Sequence, residues 1–195
     1  TIDDRFMDGR VFLAGNACHA HPPNGGRGMN TGLQDSFDLS WKLAAVVQGW
    51  GAPGLLDSYE YERRPASSRA TEVSLLNYGR LLDQSAHPDI EAQNAKGNAV
   101  RYEIGQKLVK ANAKSWQPPG VHLGYVYDPS PIVVSDGTPR PSDDTFSYVP
   151  TTYPGARAPH HWLSTDRSTI DLFGDGFVLV RFNDSSTKAL EDAAR

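Results

Sequence analysis

The chain has 195 residues, a formal net charge of −4, 38% hydrophobic residues and 22% charged residues. This length is enough for about one domain to one and a half with a sizeable core. No basic run could follow a phosphate backbone and no apolar run approaches the ~20 residues that span a bilayer, so we expect neither nucleic-acid nor membrane binding. The single cysteine, Cys18, excludes an intrachain disulfide framework and favours a reducing, cytoplasmic compartment.

The most informative stretch lies near the start of the chain. An apolar strand over residues 11–14 runs into Gly15-Asn16, and a glycine-rich turn, Gly25 to Gly28, opens a helix predicted over about residues 29–48. The first N–H groups of a helix have no intrahelical partner and point outward, so such a turn can bind an anionic or electron-rich cofactor. The alternative, a tight turn with a capped helix and no ligand, stays open on turn chemistry alone.

The following elements are mostly helical. The first helix carries one apolar face, and residues 55–112 are predicted to form two further helices. Pro65 interrupts or kinks the first of these. The buried side of the second consists of Tyr102, Ile104 and Leu108. Residues 114–160 hold most of the prolines and short predicted β pieces at 121–127 and 132–134. Residues 177–182 predict a strand that leads to a helix from about Thr187. The apolar face of the first helix consists of Leu33, Phe37, Trp41 and Ala44.

Other candidate motifs are weaker. His19 and His21 lack a third ligand for a metal, so we expect no metal and interpret His19 as a packed loop histidine. Cys18 has no neighbouring base and is interpreted as a small buried side chain. Arg63-Arg64, with Glu60 and Glu62, indicates a solvated, salt-bridged face. A literal GxGxxG at residues 49–54 follows a helix, not a strand, and is interpreted as a helix stop.

Several sequence runs keep the order of one known family along nearly the whole chain. Gly15–His19, Pro22–Asn30 and Leu39–Leu43 match its pattern of Gly-acid, small residues and His, then Pro-Pro-x-Gly-Gly-x-Gly-Met-Asn, then Trp-Lys-Leu. This set resembles the second FAD-binding motif of the single-component flavoprotein aromatic hydroxylases, the para-hydroxybenzoate hydroxylase family. Further runs resemble its phenol and chlorophenol hydroxylase branch: Tyr59–Pro65, Leu123–Tyr127, Pro154–His160 and Ser168–Gly174.

The resemblance implies an FAD-dependent monooxygenase that hydroxylates a small aromatic substrate with NADPH or NADH and O2, through a flavin C4a-hydroperoxide. By position, Asn16 would contact the ribityl chain and Pro23 would lie beside the isoalloxazine. The backbone N–H groups of Met29 and Asn30 would face the flavin C2 carbonyl, where a helix N-terminus stabilises the charge of reduced flavin. Gly26 and Gly28 would let the backbone approach the cofactor closely.

The resemblance also sets an expected fold, which is α/β. Residues 1–113 would be the C-terminal part of an FAD-binding, Rossmann-like domain with a helical segment. Residues 114–160 would be a proline-rich connection, and residues 161–195 the incomplete start of a thioredoxin-like domain without a Cys-x-x-Cys. We expect a chain truncated at both ends and a homodimer.

Two departures from the family pattern leave alternatives open. The acid expected after the strand glycine is Asn16 here, and losing a charge-assisted hydrogen bond weakens binding by roughly 1 kcal/mol or more. The family's first FAD motif, which grips the pyrophosphate, is missing, and no catalytic residue is predicted. Another flavoenzyme on the same scaffold, such as an epoxidase, remains possible, as does an inactive dimerisation or binding fragment.

Overall fold

A computed structural model describes residues 1–82, 87–116, 118–174, 176–181 and 186–193. The chain divides into two compact units, Thr1–Arg157 and Ala158–Arg195. Among the described residues, no helix combines the length and the apolarity needed to cross a bilayer.

The first unit begins with a short hairpin. Strands β1 (Met7–Asp8) and β2 (Val11–Phe12) pair antiparallel, with Met7 opposite Phe12. The strand predicted over residues 11–14 is therefore shorter than expected, because β2 has only this two-residue partner. Under the hairpin lies a small apolar core of Phe6, Cys18 and Tyr59, and the burial of Cys18 confirms its interpretation as a packed side chain.

Helix α1 covers Arg27–Val47 and begins after Gly26, whose φ of 63° is left-handed. It ends at Gly49, where a φ of 82° suits glycine, and a 3-10 turn follows at Pro53–Leu55. The start lies two residues before the predicted one and the end one residue before it. The literal GxGxxG is thus a helix end and a turn, as predicted.

Helix α1 buries a polar face and exposes much of the face that was predicted to be apolar and buried. Leu33 and Phe37, on the predicted apolar face, are 60% and 78% exposed. The buried face is polar except for one alanine, and comprises Arg27, Thr31, Asp35, Asp38, Lys42 and Ala45. Packing between α1 and its neighbour is therefore organised by charges and hydrogen bonds.

Helix α2 covers Ser58–Leu82 and continues through Pro65. The predicted interruption is therefore wrong, and the alternative of a kink stays a prediction. A proline inside a helix costs about 3 kcal/mol. Contacts on the N-terminal side of Pro65 oppose that cost: the Tyr59 hydroxyl donates to the Leu13 carbonyl at 2.7 Å, and the Glu60 carboxylate accepts from the N–H of Phe6 at 2.7 Å. Helix α2 is thereby fixed against the hairpin before the proline.

The remaining elements of the first unit are α3 (Ala95–Trp116) and α4 (Pro119–Leu123). Tyr102 on α3 is 72% exposed, so its predicted burial is wrong, whereas Ile104 and Leu108 of the same predicted side are half-buried. The predicted β piece at 121–127 is also wrong, apart from one bridge between Val126 and Ala156, because α4 occupies its first half. Residues 132–134 form no strand.

The second unit has few regular elements. Trp162 and Ser168 form a bridge, a 3-10 turn covers Ile170–Leu172, and the short helix α5 covers Lys188–Ala193. Residues 177–181 form no strand, since no partner strand pairs with them among the described residues, and Phe182 lies outside those residues. A thioredoxin-like unit stays a prediction.

Candidate cofactor site at the start of α1

The start of α1 presents backbone donors without a side-chain cap. Gly25 and Gly26 have φ values of 101° and 63°, which L-residues with a side chain rarely adopt. Gly26, the N-cap residue, makes no side-chain cap hydrogen bond, and the first turn carries no acidic residue. The positive end of the helix dipole is therefore open to an external anion or carbonyl oxygen.

The residues predicted to contact the cofactor lie around this helix start. Gly28 is half-buried; the exposed positions are Asn16, Pro23, Gly26, Met29 and Asn30. The Asn30 side-chain amide donates to the Gly26 carbonyl at 2.7 Å, which binds the first turn to its own N-cap. Their individual contacts with FAD stay predictions.

Two glycines bring the Asn16 turn against α1. A Cβ added to Gly32 would lie 3.1 Å from the Gly15 Cα, a tighter contact than side chains usually make. Gly15 itself has a φ of 58°. This close backbone approach places the 3-10 turn at Gly15–Ala17 beside the second turn of α1.

Asp35 is the hub that fixes the turn. Its Oδ2 accepts from the Gly15 N–H at 3.1 Å and from His19 Nε2 at 2.5 Å, and its Oδ1 accepts from Arg63 Nε at 2.9 Å. Burial opposes ionisation, but the hydrogen bond from His19 and the charge of Arg63 outweigh it and lower the pKa of Asp35. The buried group is therefore a carboxylate, bound by donors from the turn, the loop and α2.

A second histidine extends this network outward. His21 Nε2 lies 2.9 Å from His19 Nδ1, and the Thr71 hydroxyl lies 3.2 Å from His21 Nδ1. Burial, followed by the neighbouring His19 and by Arg27, lowers the pKa of His21 to about 4, against an opposing effect of Asp35. The interpretation of His19 as a packed histidine is confirmed, since it is 2% exposed.

A separate ionic cluster joins α1 to α2. Lys42 Nζ donates to Asp38 at 2.7 Å and to Glu62 at 2.5 Å, and the Ser130 hydroxyl donates to the other Glu62 oxygen at 2.6 Å. Glu62 and Arg63 are 3% and 0% exposed, so the predicted solvated face is wrong at these two positions. One feature of the sequence indicates this buried ionic cluster: the spacing of Asp35, Asp38 and Lys42 places all three on one face of α1.

The donor set around Cys18 is poorly suited to a metal ion. Ligand atoms of Cys18, His19 and Asp35 lie within 4.8 Å of one another. Burial, followed by the nearby Asp35 charge, raises the pKa of Cys18 to about 12, so the thiol holds its proton at neutral pH. The carboxylate already binds the guanidinium of Arg63, which would repel a cation.

A family model described as an FAD binding domain matches residues 1–74. That segment contains the hairpin, the Gly15 turn, the glycine-rich loop, α1 and most of α2. The match to an FAD binding domain confirms FAD, the cofactor that the family resemblance implies.

Proteins of known type share this segment and most of the remaining chain. The FAD-dependent monooxygenase apdD of Emericella nidulans is 40% identical over 95% of this chain, and phenol 2-monooxygenase of a Pseudomonas species is 32% identical over 97%. The solved structure of the rebeccamycin biosynthetic enzyme RebC with reduced flavin is 41% identical, covers 98% of this chain and has a TM-score of 0.81. The chain spans 32%, 34% and 35% of these three proteins, about a third of each.

Proposed function

We propose that the protein carrying this chain is an FAD-dependent monooxygenase that acts on an aromatic substrate, and that this chain supplies the flavin-ring side of the FAD site. The observation that carries the proposal is the uncapped start of α1, entered through two left-handed glycines. Relatives named as FAD-dependent monooxygenases support the reaction class.

The chain's own residues have defined tasks in this proposal. Backbone N–H groups at Met29 and Asn30 hold a flavin carbonyl oxygen and stabilise the negative charge that reduction places near it. Asn16 hydrogen-bonds a ribityl hydroxyl as donor or acceptor. When bound, reduced FAD supplies the reaction with O2, and the protein binds and orients it.

The finer features of the function are also proposed. NADPH or NADH is the electron donor, the substrate is a phenol, as in the phenol-hydroxylase branch, and the protein is a homodimer. The relative named phenol 2-monooxygenase supports the branch.

A substrate screen tests the activity. The protein is purified together with any residues that flank this chain in its gene, and FAD release on denaturation is measured. NADH and NADPH oxidation is followed with a panel of phenols, and products are analysed by mass. We expect bound FAD, substrate-stimulated oxidation and a product heavier by one oxygen atom. Flavin-free protein that binds no added FAD would overturn the proposal. An epoxide product would favour another flavoenzyme chemistry on the same scaffold.

A further inference from the structure

Polar side-chain contacts run from Asp35 through His19 and His21 to Thr71. An ionised Asp35 only accepts, so His19 Nε2 carries the proton across the 2.5 Å contact. His19 Nδ1 lies 2.9 Å from His21 Nε2, within hydrogen-bond distance. The Thr71 hydroxyl donates to the Ser67 carbonyl at 2.9 Å, so its oxygen can accept from His21 Nδ1, 3.2 Å away. His21 is therefore held between His19 and α2 by hydrogen bonds.

His21, the outer histidine of this hydrogen-bonded network, lies beside the start of α1. A Cβ added to Gly28 would lie 3.9 Å from the His21 Cβ and 4.0 Å from its Cδ2, which is ordinary van der Waals contact. His21 is half-buried and also directly precedes Pro22-Pro23 in the loop that leads to Gly26. The same side chain thus contacts α2 through Thr71 and the inner loop through His19, and it lies beside the first turn of α1 at Gly28.

We propose that His21 is a positioning residue for the start of α1: held by hydrogen bonds to His19 and Thr71, it fixes loop 21–26 and the backbone donors that follow it. Only the link to FAD affinity rests on the proposed function. Backbone donors stabilise a developing charge when they are held in place beforehand, and a rigid supporting contact supplies that order.

The charged groups around His21 make the neutral ring the favoured form. Burial is the largest cause, followed by His19, which contacts its Nε2; Arg27 of α1 also disfavours the charged ring, and Asp35 opposes these effects. From α2, the contact is the uncharged Thr71. Because the folded pKa lies below the ordinary 6.5, the unfolded chain takes up the proton first. His21 therefore contributes stability above pH 6.5, and this contribution is lost as the pH falls toward 4.

Two substitutions separate positioning from simple packing. In His21→Gln, the amide can still hydrogen-bond with His19 and can donate to the Thr71 oxygen, but the side chain does not titrate. In His21→Leu both hydrogen bonds are lost while an apolar side chain remains beside Gly28. His122→Gln is the control, because His122 is an exposed histidine of the same unit whose pKa is also lowered, first by burial and then by Arg27.

The first measurement needs no cofactor. Side-chain ¹⁵N–¹H correlation spectra of the ¹⁵N-labelled chain at neutral pH report which ring nitrogen of each histidine carries the proton. We expect His19 Nε2 to carry a proton in the wild type, and the His19 Nδ1 signal to stay near its wild-type position in His21→Gln and His122→Gln but to shift in His21→Leu, which removes its hydrogen-bond partner. A His19 Nε2 without a proton in the wild type, or a His19 Nδ1 signal unchanged in His21→Leu, would overturn the proposal.

The second measurement follows the pH dependence and the cofactor. Between pH 6.5 and 4, the wild type and His122→Gln should lose stability relative to His21→Gln, by urea unfolding. FAD affinity, by flavin fluorescence, should fall about fivefold or more in His21→Leu and be restored in His21→Gln. Equal affinity in His21→Leu and wild type, or an identical pH profile in His21→Gln, contradicts the positioning role. If the wild type binds no FAD, the proposed function fails, and the tautomer and pH results alone decide the role of His21.

Discussion

Lys42 Nζ lies 2.5 Å from Glu62 Oε2, and the two side chains are 0% and 2% exposed. Two helices are thus joined at their interface by a buried ion pair whose lysine also binds Asp38. Removing one member of such a cluster leaves the others as uncompensated buried charges, which costs far more than the pair's net contribution.

Lys42→Ala should therefore destabilise the first unit by about 3–5 kcal/mol, because Asp38 and Glu62 would both lose their cation. Urea unfolding followed by circular dichroism measures the change. Lys107→Ala is the matched control. Lys107 also pairs with an acid, Glu103, but the two side chains are 73% and 69% exposed. Its cost should stay below about 0.5 kcal/mol. Equal effects of the two substitutions would contradict the buried network.

Gly32→Ala should loosen the turn that carries Asn16. The added Cβ would lie 3.1 Å from the Gly15 Cα, so the backbone of the turn or helix must shift, at a cost of about 1–3 kcal/mol. Gly79→Ala on α2 is the control, since nothing lies within 4 Å of its added Cβ and alanine is the better helix former. It should stabilise the protein by up to about 1 kcal/mol. A stabilised Gly32→Ala would disprove the close approach.

Cys18 should resist alkylation in the folded chain. It is 2% exposed, and burial followed by the charge of Asp35 raises its pKa to about 12, so little thiolate is available at neutral pH. Iodoacetamide labelling, quantified by mass, should be slow in buffer and fast in denaturing urea. Because Cys18 is the single cysteine, the urea sample is its own control. Fast labelling of the folded chain would show that the Phe6–Cys18–Tyr59 core is open.

Asn16→Asp should tighten FAD binding if Asn16 contacts a ribityl hydroxyl. A carboxylate accepts a stronger, charge-assisted hydrogen bond, worth roughly 1 kcal/mol more, or about fivefold in Kd. Asn112→Asp on the exposed surface of α3 adds the same charge elsewhere and should leave Kd unchanged. Flavin fluorescence titration compares the three proteins. Equal tightening in both variants would assign the effect to net charge.

The sequence predicted the features that depend on local backbone chemistry. The glycine turn, the span of α1 and its stop at Gly49 follow from left-handed glycines and helix ends, which neighbouring residues determine. The buried face of α1 was not predicted correctly. The spacing of apolar residues at Leu33 and Phe37 indicated one face, but the buried face is the charged one that holds Asp35 and Lys42. That face is buried because Arg63 and Glu62 of α2 pair with it. These pairs join residues far apart in the sequence, so the spacing of residues within α1 does not predict them.

The same limit applies to Pro65 and to the strand predicted at residues 177–182. Local propensity places a break at Pro65, but hydrogen bonds from Tyr59 and to Glu60 hold α2 against the hairpin. Residues 177–181 have strong strand propensity, yet a strand needs a partner for its N–H and C=O groups, and none pairs with them among the described residues. For His19, the sequence indicated a packed ring but not the carboxylate that orients it.

The three donors on Asp35 also limit how this segment can change over time. Gly15, His19 and Arg63 come from separate stretches of chain, and each loses its acceptor if residue 35 alone is replaced. No single second substitution can restore all three, because the Gly15 backbone N–H needs a new acceptor, and His19 and Arg63 each need a new partner or must be replaced. A sequence that abandons the acid at position 35 should therefore differ at positions 19 and 63 together, so these sites should covary as a set.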